Sequence, residues 1–163
     1  LDELIAATRE AHGNIREYIL EMRGIAPRNR SFSAILKQYA FEFSEKTGIP
    51  VSIIFDDDLP QGFPDDALAV NVLKIIQEAL TNIRKHAGPC QAEISFQKED
   101  GNALVCISDN GPGFNLDAQS DGHHYGLSIM RERAGEIGAN FQISSQIGIG
   151  IRIMIRLPHG GED

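Results

Sequence analysis

The sequence has little cysteine, no excess of basic residues and no long apolar run, and each shortage removes a class of protein. Cys90 and Cys106 are its two cysteines, and no Cys-x-x-Cys spacing joins them. If the segments flanking Asp100-Gly101 form a hairpin, Cys106 lies opposite a residue near Ser95. Cys90 then sits about five residues further along, roughly 17 Å at strand rise, which is beyond disulfide reach. Both are expected as reduced thiols, so a disulfide scaffold is excluded. No stretch approaches the ~18 consecutive apolar residues of a membrane span. Leu1-Asp2-Glu3 lacks the basic start and apolar centre of a signal peptide. The first residue is not Met, so the chain is expected to be a piece of a longer protein, with a membrane anchor upstream left open. A net charge of -8 argues against a nucleic-acid surface, which needs a basic stripe. The acidic excess serves solubility. Low-complexity tracts and internal repeats are also missing.

What remains is a globular composition, 42% hydrophobic over 163 residues. That suits one domain with a helical appendage, large enough to bury a core without disulfides or a structural metal. Leu1, Leu4, Thr8, Ala11, Ile15, Tyr18 and Met22 alternate at spacings of three and four. This is a heptad seam running to about Arg23, with Ile5 and Ile19 widening it. It fits either a helix packed on its own domain or part of a helical hairpin or dimeric bundle. Gly24 and Pro27 stop it. Phe32, Ile35, Leu36, Tyr39, Ala40 and Phe43 predict a second amphipathic helix, ended by Gly48 and Pro50.

Val51 to Phe55 predicts a strand. A third helix, capped by Asp65 or Asp66, runs to about Ala87 on a stripe of Ala69, Val72, Ile76, Ala79 and Ile83. Strands follow at Gln91–Gln97 and Ala103–Ser108, joined by the turn Asp100-Gly101-Asn102. An irregular glycine-rich stretch is expected from Gly111 to Tyr125, then a helix from about Leu127 to Ile137. Strands Asn140–Ser145 and Gly150–Leu157 close the chain. Four helices and five strands without strand–helix–strand repetition predict an α+β fold, a mixed sheet with helices on one face.

Three stretches carry chemistry. In Gln77-Glu78-Ala79-Leu80-Thr81-Asn82-Ile83-Arg84-Lys85-His86, Glu78 and Asn82 project from one helical face, with Lys85 and His86 a turn further. A carboxylate, an amide oxygen and a cation so aligned can meet hydrated Mg²⁺ and a phosphate chain. Taken alone, such residues are common on a solvated helix. In Asp109-Asn110-Gly111-Pro112-Gly113-Phe114, a carboxylate at a strand end can accept the exocyclic amine of adenine, and the glycines let backbone pass close to a flat base. An ordinary tight turn has the same composition. In His123-His124-Tyr125-Gly126-Leu127-Ser128-Ile129-Met130-Arg131-Glu132-Arg133-Ala134, Gly126 opens a helix whose free amides suit a phosphate. A flexible hinge reads alike. No carboxylate or cysteine stands at ligand spacing from His123 and His124, which argues against zinc.

In this order and spacing, the three stretches resemble the ATPase family shared by DNA gyrase B, the ninety-kilodalton heat-shock chaperone, sensor histidine kinases and MutL. The wording Gln-Glu-Ala-Leu-Thr-Asn…Lys-His-Ala and Tyr-Gly-Leu-Ser-Ile-Met-Arg-Glu-Arg-Ala is similar to the nitrate-sensor subfamily of histidine kinases. The resemblance implies a two-layer α/β sandwich of the Bergerat type over residues 49–158, preceded by a dimerisation-bundle helix over 1–24 and a linker with connecting helix over 25–48. Residues 159–163 are a tail.

It further implies ATP and Mg²⁺ as ligands. Asn82 would ligate the metal, and Glu78 would stand as a base-like polar group beside the γ-phosphate. Lys85 and His86 would lie near the phosphates, and Asp109 would hold the adenine amine in a pocket shaped by Gly111 and Gly113. Tyr125, Gly126 and Leu127 would belong to the lid, and Gly148 and Gly150 to the nucleotide site. A response regulator and a homodimeric parent are the implied partners. The location is cytoplasmic, with any membrane attachment made through upstream segments.

Two departures from the pattern stand out. The family usually carries a threonine after its last glycine pair, where this chain has Ile151, which offers no hydroxyl. Either ATP binds more weakly or another group makes that hydrogen bond. The His-Asp-x-Leu-like sequence holding the phosphate-accepting histidine is missing, and His12 lies beside the heptad seam as a surface or packing residue. The expectation is a kinase catalytic part whose target histidine lies elsewhere. The rivals are a nucleotide-sensing or partner-binding regulatory module and an anti-sigma-factor serine kinase.

Overall fold

Ser31 caps a helix: its hydroxyl accepts the Ala34 N–H at 3.3 Å, and Gly48, at φ 72°, turns the chain out after 16 helical residues. This helix is α1 (Phe32–Thr47). The computed structural model describes residues 31–59, 63–117 and 121–158. The expected bundle helix over 1–24 and the tail after 158 lie outside them. After α1 come β1 (Val51–Phe55), α2 (Asp66–His86), β2 (Ala92–Glu99), β3 (Asn102–Asp109), α3 (Asp121–Glu136), β4 (Asn140–Gln146) and β5 (Gly150–Arg156). The strands form one sheet in the order β1-β2-β3-β5-β4. β1 runs parallel to β2 and every other pair is antiparallel. The α+β reading with a mixed sheet holds.

Strand alternation sorts the sheet into two faces. Register aligns Ile53, Ile94, Ile107, Ile153 and Ile143 in one row across all five strands. The next row toward the hairpin end aligns Phe55, Phe96, Val105, Ile155 and Phe141. These rows form the floor of the core. The opposite face carries Ser52, Glu93, Ser108, Arg152 and Ser144 in one row, a polar set that needs no cover. The helices therefore pack on one face, as the pattern of the sequence requires.

α2 is the central helix. Its expected stripe of Ala69, Val72, Ile76, Ala79 and Ile83 is buried, and Val70, Leu73, Ile75 and Leu80 are buried as well. So wide an apolar surface follows from position, because α2 touches β3, α1 and α3 together. Asp65, one of the two capping candidates, accepts the Leu68 N–H at 2.9 Å. α1 is anchored to the sheet by aromatics: Phe96, fully buried, meets Phe32 edge-on at 5.6 Å and stacks on Phe55 at 4.6 Å.

Two details differ from expectation. Asp100 and Gly101, at φ 51° and 79°, close the β2–β3 hairpin in two residues. That is the I′ geometry matching strand twist, so Asn102 already belongs to β3. The register nonetheless sets Ser95 opposite Cys106, and both cysteines are free thiols. More consequentially, α3 begins at Asp121 rather than near Leu127. Glycine costs a helix about 1 kcal/mol relative to alanine, which is why Gly126 reads as a helix start. Packing against α2 overrides that propensity.

Phe96 ties α1, β1 and β2 together. Phe96→Ala should cost about 3–5 kcal/mol, measured as a lowered midpoint in urea unfolding.

Candidate functional site

Asp109 stands at the end of β3, where the strand leaves the sheet, and its inward direction is dictated by register. It occupies the row Ala92, Asp109, Ile151, Ser145 on the helix-facing side. A carboxylate there is surrounded by apolar side chains and is buried. Its Oδ1 accepts the Gly111 N–H at 2.8 Å. Its Oδ2 is buried with no hydrogen-bond partner among the described residues. Burial pushes the Asp109 pKa above the ordinary carboxylate value, and the Gly111 and Ile151 amides oppose that rise. A buried bare carboxylate oxygen is a standing cost unless a donor arrives.

Two turns hold this corner. Gly113 (φ 61°) lies so close to the Gln146 carbonyl, and Gly150 (φ 128°) so close to the Asp109 carbonyl, that a Cβ at either would overlap backbone. The Gly148 N–H donates to the Pro112 carbonyl at 2.7 Å. Residues 109–114 and 145–150 are thereby locked as a pair.

α2 brings the second group. Glu78 and Asn82 are half-buried and one turn apart. α3 brings the third, because a Cβ built on Gly126 would lie 2.6 Å from Glu78 Oε1 and 2.9 Å from Asn82 Nδ2. A side chain at Gly126 would displace the ends of the Glu78 and Asn82 side chains. Asn82, His86, Asp109, Phe114, Leu127 and Ile151 line one cavity between the three stretches. Its free space is about 20 Å³, room for a single water molecule.

The expected site residues divide accordingly. Glu78, Asn82, His86, Asp109, Gly111, Gly113, Gly126 and Leu127 come together, with Gly150 buried under Asp109. Lys85 is exposed at the last turn of α2, Tyr125 is exposed at 74%, and Gly148 sits on an exposed hairpin tip. The expectation that Gly126 opens its helix is corrected. Five helical residues precede it, so its N–H lies beyond the first turn, where the free donors are. Sequence reading passed over Ser145. The available signal was a hydroxyl at the inward position of the alternating run Phe141, Ile143, Ser145.

Residues 67–161 match the model of the histidine kinase-, DNA gyrase B-, and HSP90-like ATPase family, and the chain belongs to that family. It is 32% identical over 152 residues to the sensor protein VraS of Staphylococcus aureus (strain COL), covering 91% of this chain and 42% of that protein. It is 31% identical over 158 residues to VraS of Staphylococcus haemolyticus (strain JCSC1435), covering 95% of this chain and 43% of that protein. The chain thus spans under half the length of these relatives. Among solved structures, the histidine kinase domain of the Erythrobacter litoralis EL346 blue-light activated histidine kinase has the same fold. It aligns at a TM-score of 0.68 and 20% identity, over 94% of this chain and 74% of that one. Full-length ShkA in complex with AMPPNP aligns at a TM-score of 0.62 and 19% identity, over 78% of this chain and 29% of that one.

Two measurements test this geometry. Gly126→Ala should change stability by less than about 1 kcal/mol, because displacing the flexible ends of Glu78 and Asn82 offsets alanine's helix-propensity gain of about 1 kcal/mol. Calorimetric melting reads the difference. Asp109→Asn should raise the melting temperature at neutral pH, because the raised pKa means that folding works against the ionised form. That advantage should shrink as pH falls through the raised folded-state pKa and be lost below the ordinary value of 3.8, where the wild-type carboxyl is protonated in both states.

Proposed function

We propose that this chain is the ATP-binding catalytic part of a two-component sensor histidine kinase of the nitrate-sensor subfamily. The parent transfers the γ-phosphoryl of Mg-ATP to a histidine outside this chain, for relay to a response regulator. The observation that carries the reading is the bare Asp109 oxygen, which borders the same cavity as Asn82. A buried acceptor flanked by isoleucines and a phenylalanine suits a flat base bearing an exocyclic amine. An amide and a carboxylate one helical turn apart suit a cation with its phosphates. The AMPPNP bound by the structural relative ShkA and the sensor-protein relatives agree with it.

In this reading Asp109 accepts the adenine amine, while Ile107, Ile143 and Ile151 contact the ring. Bound Mg-ATP supplies the transferable phosphoryl group and the cation that offsets its charge. Asn82 would hold that cation and Glu78 would stand beside the γ-phosphate. Among the described residues no group of three His, Cys, Asp or Glu is placed to hold a metal by itself. Asn82 would hold an Mg²⁺ ion together with oxygens from outside the chain, as is usual for that ion. His86 and Lys85, in the last turn of α2, line the approach of the phosphates. Gly113, Gly148 and Gly150 shape the base side, and Tyr125, Gly126 and Leu127 form the moving side. With about 20 Å³ free, nucleotide entry requires the start of α3 to draw back from Glu78 and Asn82.

Residues 1–24 are proposed as a dimerisation-bundle helix, 25–48 as linker and connecting helix, and 49–158 as the catalytic domain. The parent is a homodimer working in the cytoplasm, with any membrane attachment in segments upstream. No helix among the described residues is long and apolar enough to cross a membrane.

Asn82→Ala in a longer chain carrying the acceptor histidine should abolish Mg-ATP binding and phosphotransfer, followed with radiolabelled γ-phosphate. Undiminished labelling would refute the assignment.

A further inference from the structure

In the row of the helix-facing side that runs through Val51, Ala92, Asp109, Ile151 and Ser145, two positions are polar, Asp109 and Ser145. They flank Ile151 in a single row. Asp109 is explained by a ligand amine, but Ser145 has no counterpart in that scheme. Its hydroxyl accepts the Phe114 N–H at 2.8 Å and lies 3.4 Å from the Gly150 carbonyl, toward which it donates. Phe114 lines the cavity, and Gly150 packs on the Asp109 backbone. One side chain thus ties both ends of the corner that surrounds the bare carboxylate oxygen.

The other ties across this corner are of a different kind. The Gly148 N–H holds Pro112, two residues before the cavity wall, and the Gly113 contact sets only how near the strands approach. Phe114 is the residue of the strap from Asp109 that lies against the cavity. Its backbone N–H is fastened by Ser145.

We infer that Ser145 is a positioning residue for nucleotide recognition: its hydroxyl pins Phe114 so that the strap 111–114 forms one wall of the base pocket beside Asp109. This rests on the reading that the Asp109 corner receives adenine. Ser145 itself touches neither base nor phosphate. It acts by removing the strap's freedom before binding, so that the ligand does not meet the ordering cost.

The test compares Ser145→Thr with Ser145→Val in the full chain, a pair of equal shape that differs only in the hydroxyl and favours strand backbone. ADP is titrated by calorimetry, and amide hydrogen exchange is followed at Phe114. S145T should bind ADP within about twofold of the unsubstituted chain and keep the Phe114 amide protected. S145V should bind roughly five- to tenfold more weakly, the worth of one neutral hydrogen bond, and its Phe114 amide should exchange faster while core amides stay protected. Should S145V not fold, Ser145→Ala against S145T asks the same question. Equal ADP affinity in the Val and Thr variants, or a Phe114 amide unprotected in the unsubstituted chain, overturns the proposal. Failure of the unsubstituted chain to bind ADP at all would instead sink the nucleotide reading on which it depends.

Discussion

The site depends on a carboxylate held where water does not reach it. Asp109 lies on a face of the sheet dominated by isoleucine, valine and phenylalanine, with one oxygen satisfied by its own turn and the other bare. In a folding context alone this is a defect, because an unpaired buried acceptor costs ~1–3 kcal/mol. A folded protein retains such a group when something outside the chain completes it. The turns around it are built to keep it in place: Gly150 presses on the Asp109 carbonyl and Gly113 on the Gln146 carbonyl. Neither turn can close with a side chain at those points.

α2 links that corner to the opposite side of the cavity. The same helix supplies the core through its wide apolar surface and presents Glu78 and Asn82 toward α3. Core and site are therefore not separable. A shift of α2 against the sheet would move Asn82 relative to Asp109, and the Phe32–Phe96–Phe55 cluster helps to prevent such a shift by wedging α1 against the strands. α3 comes nearest to Glu78 and Asn82 at Gly126. Chains of the same fold that share only about a fifth of their residues with this one show that the arrangement of layers tolerates wide change in the side chains that fill it.

Much of this is legible from the residues alone because it is periodic or local. The alternation in Val51–Phe55, Ala92–Glu99 and Gly150–Arg156 and the stripe on α2 follow from burial on one face. Caps at Ser31 and Asp65 and the Asp100-Gly101 turn follow from side-chain and backbone chemistry within a few residues. The three motifs could be named, and their residue types suited to phosphate, cation and amine. Where local propensity and packing disagree, as at Gly126, local reading gave the wrong helix start. The energy that keeps Gly126 helical comes from α2, some forty residues earlier in the chain.

Periodicity, capping and turn chemistry by themselves determined the elements of this protein, their burial and the kinds of group its motifs carry. Tertiary structure alone decided that Asn82, Asp109 and Leu127 border one cavity, that the space there is nearly closed, and that Ser145 fastens Phe114. Those facts depend on strand order and helix approach, which arise from contacts between residues far apart in the chain. No local rule acts over such separations, so the meeting of these groups belongs to the packed fold.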